Sequence, residues 1–430
     1  MPNYYKFLIS IPRPGFVLLL ICLLFSTKNI QCQNNKAFKD EIFKPFIKTV
    51  RLYPRFNTGD QDLQAPIVSL TSNPGLILEF DALLEDYEPY QAKLIHCNAN
   101  WTRSMLSDIE ILADYNSFDL NDFKYSENTN TLYTHYLFEV PKTKVSGNFI
   151  LMVYQNSDQE DVLFTSRFVV FENRVSIKTN PVLSTAVSQR NFNQQIEFSL
   201  NYGELDISNP HSDVYVVIRQ NQRWDNAIYG LRPTLVRQDQ SFIEYRHFNE
   251  ENNFKAGNEF RFFDLRTFRF RGQNISFIDS DAIPMIAHTF IDQNRSQGVY
   301  SQLKDLNGQY FIESREPQAG YLETDYFNTK FQLSSPKGEE GDVYVIGAFN
   351  NWQRNRESKM VFDPNTLLYT CDVLLKQGVY SYSYYLEGKP YFFEGSYYQT
   401  ENTYDILVYY RPLGSFTERV VGYASFSAGF

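Results

Sequence analysis

Apolar and polar residues alternate with a period of two along most of this chain. Leu76, Leu78 and Phe80 alternate with Ile77, Glu79 and Asp81. Ile196, Phe198, Leu200 and Tyr202 alternate with Glu197, Ser199 and Asn201, and Tyr380, Tyr382, Tyr384 and Leu386 with Ser381, Ser383 and Tyr385. Successive side chains of a strand point to opposite faces, so each run predicts a strand with one face suited to a core. Turn-forming clusters separate such runs: Asn73-Pro74-Gly75, Asn156-Ser157-Asp158, Asn209-Pro210 and Pro336-Lys337-Gly338. Helical periodicity is scarce, and Met105 to Tyr115 is the best short candidate. Residues 279–308 are polar and poorly patterned, and read as a long loop. The expectation is an all-β chain built as tandem antiparallel β-sandwich domains.

Chain length and breaks in this pattern divide it further. A first β-sandwich is expected over 47–172, closing with the strand Arg167-Phe168-Val169-Val170-Phe171. Glu172-Asn173-Arg174 leads straight into the next strand, a linker too short for free domain motion. A second sandwich is expected over 173–325 and a third over 326–423, followed by a C-terminal tail, 424–430. Residues 33–46 form an N-terminal extension. Residues 1–32 read as a signal peptide: Lys6 and Arg13 precede the apolar run Phe16 to Phe25, too short to span a bilayer. Lipidation at Cys32 is the alternative, but the bulky Gln31 makes a poor lipidation box. No second apolar stretch is long enough for a transmembrane helix.

Cleavage after Cys32 leaves Cys97 and Cys371, far apart and in different predicted domains, so both are expected free and buried rather than bridged. The cores must then hold the fold without disulfides. The formal net charge is -10. Losing a leader with Lys6, Arg13 and Lys28 and no acid makes it more negative, which gives the chain no electrostatic reason to bind nucleic acid or an anionic lipid surface. The 31 Tyr, 37 Phe and 3 Trp suit half-buried pleated surfaces and also supply large contact areas at interfaces.

Candidate chemistry is sparse. His96 and His135 lie on strand-like segments, but their spacing is not that of paired metal ligands and no acid or Cys set completes one. Cys97 points to the opposite face from His96. Structural histidines are the expectation. In Glu259-Phe260-Arg261-Phe262-Phe263-Asp264, strand alternation puts Glu259 and Asp264 on opposite faces, so they are not a glycosidase pair. A Glu259–Arg261 or Arg261–Asp225 ion pair is expected instead. Arg223, Trp224 and Arg266 have the residue types of interface anchors. There is no Gly-x-Ser-x-Gly elbow, His-Glu-x-x-His, phosphate-cradling Gly loop or Cys-x-x-Cys. Nothing in the chain asks for catalysis, a cofactor or a metal.

Three phrases stand out. The first is His96-Cys97-Asn98-Ala99-Asn100-Trp101 with Tyr133-Thr134-His135-Tyr136. The second is Gln220-Asn221-Gln222-Arg223-Trp224-Asp225-Asn226 with Gly257 through Asp264. The third is Val345-Ile346-Gly347-Ala348-Phe349-Asn350-Asn351-Trp352 with Glu394-Gly395-Ser396. In this order and spacing the chain resembles the plug proteins of the type IX secretion system, from about Ile47 to Gly422. The resemblance marks His96, Cys97, Trp101, His135, Gln220, Asn221, Arg223, Trp224, Glu259, Arg261, Asp264, Gly347, Phe349, Trp352, Glu394 and Gly395 as family-motif residues, structural or at an interface. It implies a non-enzymatic periplasmic protein at the inner face of the outer membrane. Its partner would be the giant outer-membrane β-barrel translocon, whose periplasmic opening it closes until cargo is exported. The third phrase also resembles immunoglobulin-like sandwiches of glycogen-binding modules, which implies immunoglobulin-like domains. It leaves an alternative: a periplasmic carbohydrate-binding protein using Trp352, Asn350 and Lys389. That alternative requires an exposed aromatic platform around Trp352, whereas the plug reading allows it to be buried.

Overall fold

A computed structural model describes residues 37–430 except Asn57, Asn73, Glu204, Gln318, Ala319 and Phe430. The expected signal peptide, with Cys32 and the first residues of the extension, lies outside the described residues. The chain is mostly β, with several antiparallel sheets and only short helices.

Among the described residues, six sheets face each other in three pairs, each pair closing on its own apolar core. In the first pair, one sheet runs Glu41–Ile42, Val162–Phe171, Gly147–Gln155, Tyr90–Cys97, Phe118–Asp119, with Ile67–Ser69 added parallel to Val162–Phe171. Its companion runs Ile47–Pro54, Leu76–Ala82, Thr134–Val140, Asp122–Tyr125. Leu78, Phe80, Leu94, Phe149 and Leu151 join their inner faces. The second core holds Ile196, Phe198 and Leu200 from Asn193–Asn201 against Val216 and Ile218 from Val214–Gln220. The third holds Phe263, Tyr380 and Tyr382 against Phe327, Phe331 and Val373.

Sheet membership departs from chain order in the C-terminal half. The strand Asn402–Tyr410 pairs along its length with Val214–Gln220, and Arg419–Ala428 pairs with Asn402–Tyr410. The strands expected to end the third segment thus complete the middle pair of sheets. Residues 424–428, expected in a tail, belong to a full edge strand. Conversely Arg261–Asp264, Ile275–Asp279, Met285–Thr289 and Tyr310–Ile312 join the third pair of sheets. Alternation reveals a strand's faces but says nothing about its neighbours, which explains both departures. Within the expected loop 279–308, Met285–Thr289 is a strand parallel to Tyr326–Ser334. Five residues are too few for periodicity to stand out.

Other expectations hold. A short helix, Asp108–Ile111, lies inside Met105–Tyr115, and the Glu110 carboxylate accepts from the N–H and O–H of Ser107 at its start. Cys97 and Cys371 are free and buried, and burial pushes both thiols up to about 12. Residues 38–430 form one compact unit, so the three cores are locked together. The contacts that lock them define the site described next. Among the described residues no helix is long and apolar enough to cross a membrane.

Candidate functional site

The strand Leu76–Ala82 is buried on both faces. Leu76, Leu78 and Phe80 enter the first core; Glu79 and Asp81, whose charges suggest a solvent face, point towards the third pair of sheets. There Arg51 binds Glu79 at 2.6 Å and Asp62 at 2.7 Å. Lys376 binds Asp81 at 2.6 Å, and the hydroxyl of Tyr326 donates to the same carboxylate oxygen at 2.6 Å. Nearby, Asp325 accepts the backbone N–H groups of Asn130 and Thr131, and the Tyr133 hydroxyl donates to the Thr324 carbonyl at 3.0 Å. First and third units are therefore joined by buried charges and hydrogen bonds, which demand directed partners in a way an apolar contact does not.

The three tryptophans of the chain meet at the same junction. Trp101 and Trp224 touch edge to face with centroids 4.7 Å apart. The Arg219 guanidinium covers Trp224 at 4.2 Å, and Arg167 covers Trp101 at 4.6 Å. Beside Trp224, Arg223 stacks 4.1 Å over Trp352 while holding Asp225 bidentately at 2.9 and 2.6 Å. Phe260 closes on Trp352 at 5.5 Å. A methyl group at Gly308, whose φ is +80°, would lie 2.2 Å from the Trp352 ring, so only glycine fits there. Each phrase supplies one tryptophan: Trp101–Trp224 ties the first unit to the middle one, and Arg223–Trp352 ties the middle unit to the third.

Between them opens a cleft of about 620 Å³, lined by Arg51, Arg167, Arg219, Trp224, Trp352 and Gln353 among others. The N-terminal extension reaches it. The Phe38 N–H donates to the Trp101 carbonyl at 3.0 Å, Arg167 donates to the Phe38 carbonyl, and Gln353 donates to the Asp40 carbonyl. Burial raises the Asp40 carboxyl, partly offset by Arg167. Of the lining charges, Arg51 pairs with Asp62 within the cleft, while Arg219 pairs with Asp405 and Asp225 with Arg223 behind its wall. Among the described residues no three His, Cys, Asp or Glu side chains gather as a metal would need.

The remaining motif residues divide into those drawn together and those kept apart. Glu394 joins the second and third phrases. It accepts from Arg261 at 3.0 Å, from Arg295 at 2.6 Å and from the Tyr384 N–H at 2.9 Å. Arg261 also reaches Asp292 at 2.7 Å. Neither expected partner of Arg261 is used: Glu259 accepts from Tyr300 and Asp225 serves Arg223. Asp264 pairs with Arg266 at 2.6 Å, which gives Arg266 a structural partner. Gln220 donates to Tyr404 and Lys255, and Asn221 donates to Asn402 while accepting from the Thr403 N–H, so this pair secures the C-terminal strands. Gly347 lets Phe349 and the Ser381 carbonyl approach to 2.6 and 2.7 Å of where a Cβ would sit. Gly395 follows Glu394 with φ +78°.

The two histidines are separate. His96 accepts from Ser104 at Nδ1, 2.8 Å, and its Nε2–H donates to the Ser146 carbonyl at 3.3 Å; burial lowers its pKa to about 4. His135 lies on the other sheet of that pair, with Nδ1 2.8 Å from Asp81. Trp352, only 8% exposed, is covered by Arg223 and Phe260 and offers no platform for a sugar ring. Sequence reasoning overlooked Asp81, Lys376, Arg219 and Asp405, the last two paired at 2.6 Å. Each is a charge inside an apolar strand run, and that signal could have found them.

The comparisons with known proteins agree with this architecture. No curated protein matches the chain. A crystal structure of a hypothetical protein from Parabacteroides merdae is 30% identical and superposes with a TM-score of 0.85, over 91% of this chain and 100% of that one. The sequence model for the first domain of type 9 secretion system plug proteins matches residues 47–172, the first pair of sheets. Residues 47–172 thus belong to the first-domain family of type 9 secretion system plug proteins.

Proposed function

We propose that this protein is the non-enzymatic plug of a type IX secretion translocon. It binds the periplasmic opening of the giant outer-membrane barrel and leaves it for cargo export. On this reading residues 1–32 are a signal peptide, the mature protein is periplasmic, and its units are immunoglobulin-like sandwiches. The middle unit is closed by the C-terminal strands. The family match of residues 47–172 carries the assignment. The observation that supports the mechanism is the junction: Asp81–Lys376 joins the first core to the third, Trp101–Trp224 the first to the middle one, and Arg223–Trp352 the middle to the third, so three cores are held as one body. A seal over a wide pore must resist deformation yet release. A preshaped surface does so because little conformational entropy is lost on binding.

Affinity-tagged mature protein, recovered from detergent-solubilised outer membranes with crosslinking and mass spectrometry, tests this. The expected result is the giant barrel, crosslinked through its periplasmic rim. Failure to recover it, in cells that express the barrel and under conditions that retain a known translocon component, rejects the assignment.

A further inference from the structure

The last strand, Arg419–Ala428, is an edge. Residues 172–175 cover its beginning. The Val420 carbonyl accepts from the Glu172 N–H at 2.7 Å, and the Val421 carbonyl accepts from the N–H groups of Arg174 and Val175 at 2.9 and 3.1 Å. Strand alternation then directs the N–H and C=O groups of Tyr423, Ser425 and Ser427 to the same outer side. Among the described residues no strand pairs there. Natural edges are normally guarded by charges, proline or very short strands. Beyond Arg419, which pairs with Glu172, this one has none of these protections: Val420 through Phe430 contain no charged residue and no proline, in a chain of net charge -10.

We propose that this edge pairs with the same edge of a second copy, joining two four-stranded sheets into one across a two-fold axis at Ser425. Two features select a copy as the occupant. The first is size matching. Antiparallel pairing centred on Ser425 sets Tyr423 opposite Ser427 of the other copy, Ala424 opposite Phe426, and Gly422 opposite Ala428, so no two large side chains collide. Phe426 already leans inward on Tyr404, centroids 5.8 Å apart, and Ser425 and Ser427 are exposed. The second is charge. Two acidic copies repel over most of their surface, and a neutral edge is where they can approach. Paired edges are isologous and closed, so association stops at the dimer.

The test is sedimentation equilibrium of the full mature protein from low to high micromolar concentration, at low and high salt. The expected result is a monomer–dimer equilibrium that strengthens with salt, because screening weakens the like-charge repulsion. Ser425→Pro removes an outward N–H that serves no bond within the sheet, and Ser425→Asp brings two like charges together on the axis. Each is expected to weaken dimerisation about tenfold or more, with the far-ultraviolet spectrum and unfolding midpoint retained. A monomer under every condition overturns the proposal, as does a dimer indifferent to both substitutions. A monomer whose Ser425→Pro form also loses the barrel in the recovery experiment would assign the edge to a translocon strand and overturn self-pairing. Recovery of the barrel by the unsubstituted protein reads the plug assignment independently.

Discussion

Lys376 and Asp81 meet across 295 residues of chain, Nζ to Oδ2 at 2.6 Å, with side chains 0% and 1% exposed. The Tyr133 ring lies 3.9 Å from the same ammonium, and His135 donates to the other oxygen of Asp81 at 2.8 Å. Burial alone would raise the Asp81 carboxyl, but Lys376 and His135 bring it down to about 2. The pair binds the first unit to the third and sets the angle between them. A hydrophobic pair could serve stability as well; a charge pair also rejects misaligned dockings, which would strand a charge.

Removing one partner should therefore cost more than removing both. Lys376→Met leaves the buried Asp81 carboxylate without its ammonium partner and is expected to destabilise the protein by about 3–5 kcal/mol in urea unfolding. Asp81→Asn combined with Lys376→Met should recover a substantial part of that loss. A single-substitution effect below about 1 kcal/mol, the level of an exposed pair, would show that the pair does not hold the junction.

His96 makes stability depend on pH in a defined direction. Its ordinary pKa is near 6.5 and burial lowers the folded value to about 4. Below the ordinary value the unfolded chain takes up a proton that the folded protein refuses. This contribution is fully present above about pH 6.5 and is lost as pH falls towards 4. The loss amounts to roughly 3 kcal/mol if the whole shift is expressed. Denaturation midpoints measured between these limits should fall less steeply for His96→Gln than for the unsubstituted protein. Equal slopes would mean that His96 is protonated in the folded state.

How much of this was legible beforehand depends on the range of the interaction. The alternation in Tyr380 to Leu386 specified a strand because the facing pattern is local, and Gly378–Leu386 is one. The same alternation in Leu76 to Asp81 suggested a solvent-facing side for Glu79 and Asp81. That side is buried because Arg51 and Lys376, neither near in sequence, neutralise it. Arg261 was expected to pair within its own phrase, yet it turns to Glu394 and Asp292. Strand geometry identifies the face of a charged residue but not which distant carboxylate completes it. The tryptophans were visible as landmarks of a family. Their meeting at one junction required knowing that residues 402–428 return to the middle sheets.

Gly308 should be intolerant of even a methyl group. Its φ of +80° is unfavourable for other residues, and the added carbon would enter the Trp352 ring. Gly308→Ala is expected to cost more than about 1 kcal/mol. It should also lower recovery of the barrel if the junction shapes the sealing surface. Gly388, with φ +76° and open space around it, is the control: Gly388→Ala carries the backbone cost without the collision. Equal losses at both positions would show that the tryptophan contact adds nothing.

Intrinsic fluorescence can decide whether the three units behave as one body. Every tryptophan in the chain, at positions 101, 224 and 352, lies at the junction, so emission reports the junction, whereas far-ultraviolet circular dichroism reports strands in all three units. If the buried charges and arginine–tryptophan contacts couple the cores, the two signals should follow one transition in urea. Lys376→Met should bring both midpoints down together. If the junction were a loose contact, emission would shift red at lower urea while the strands persisted. Trp101→Phe and Trp224→Phe would then identify which unit leaves first. Separated transitions in the unsubstituted protein would also remove the physical basis for a rigid seal, since a plug that hinges at its centre cannot present a preshaped face.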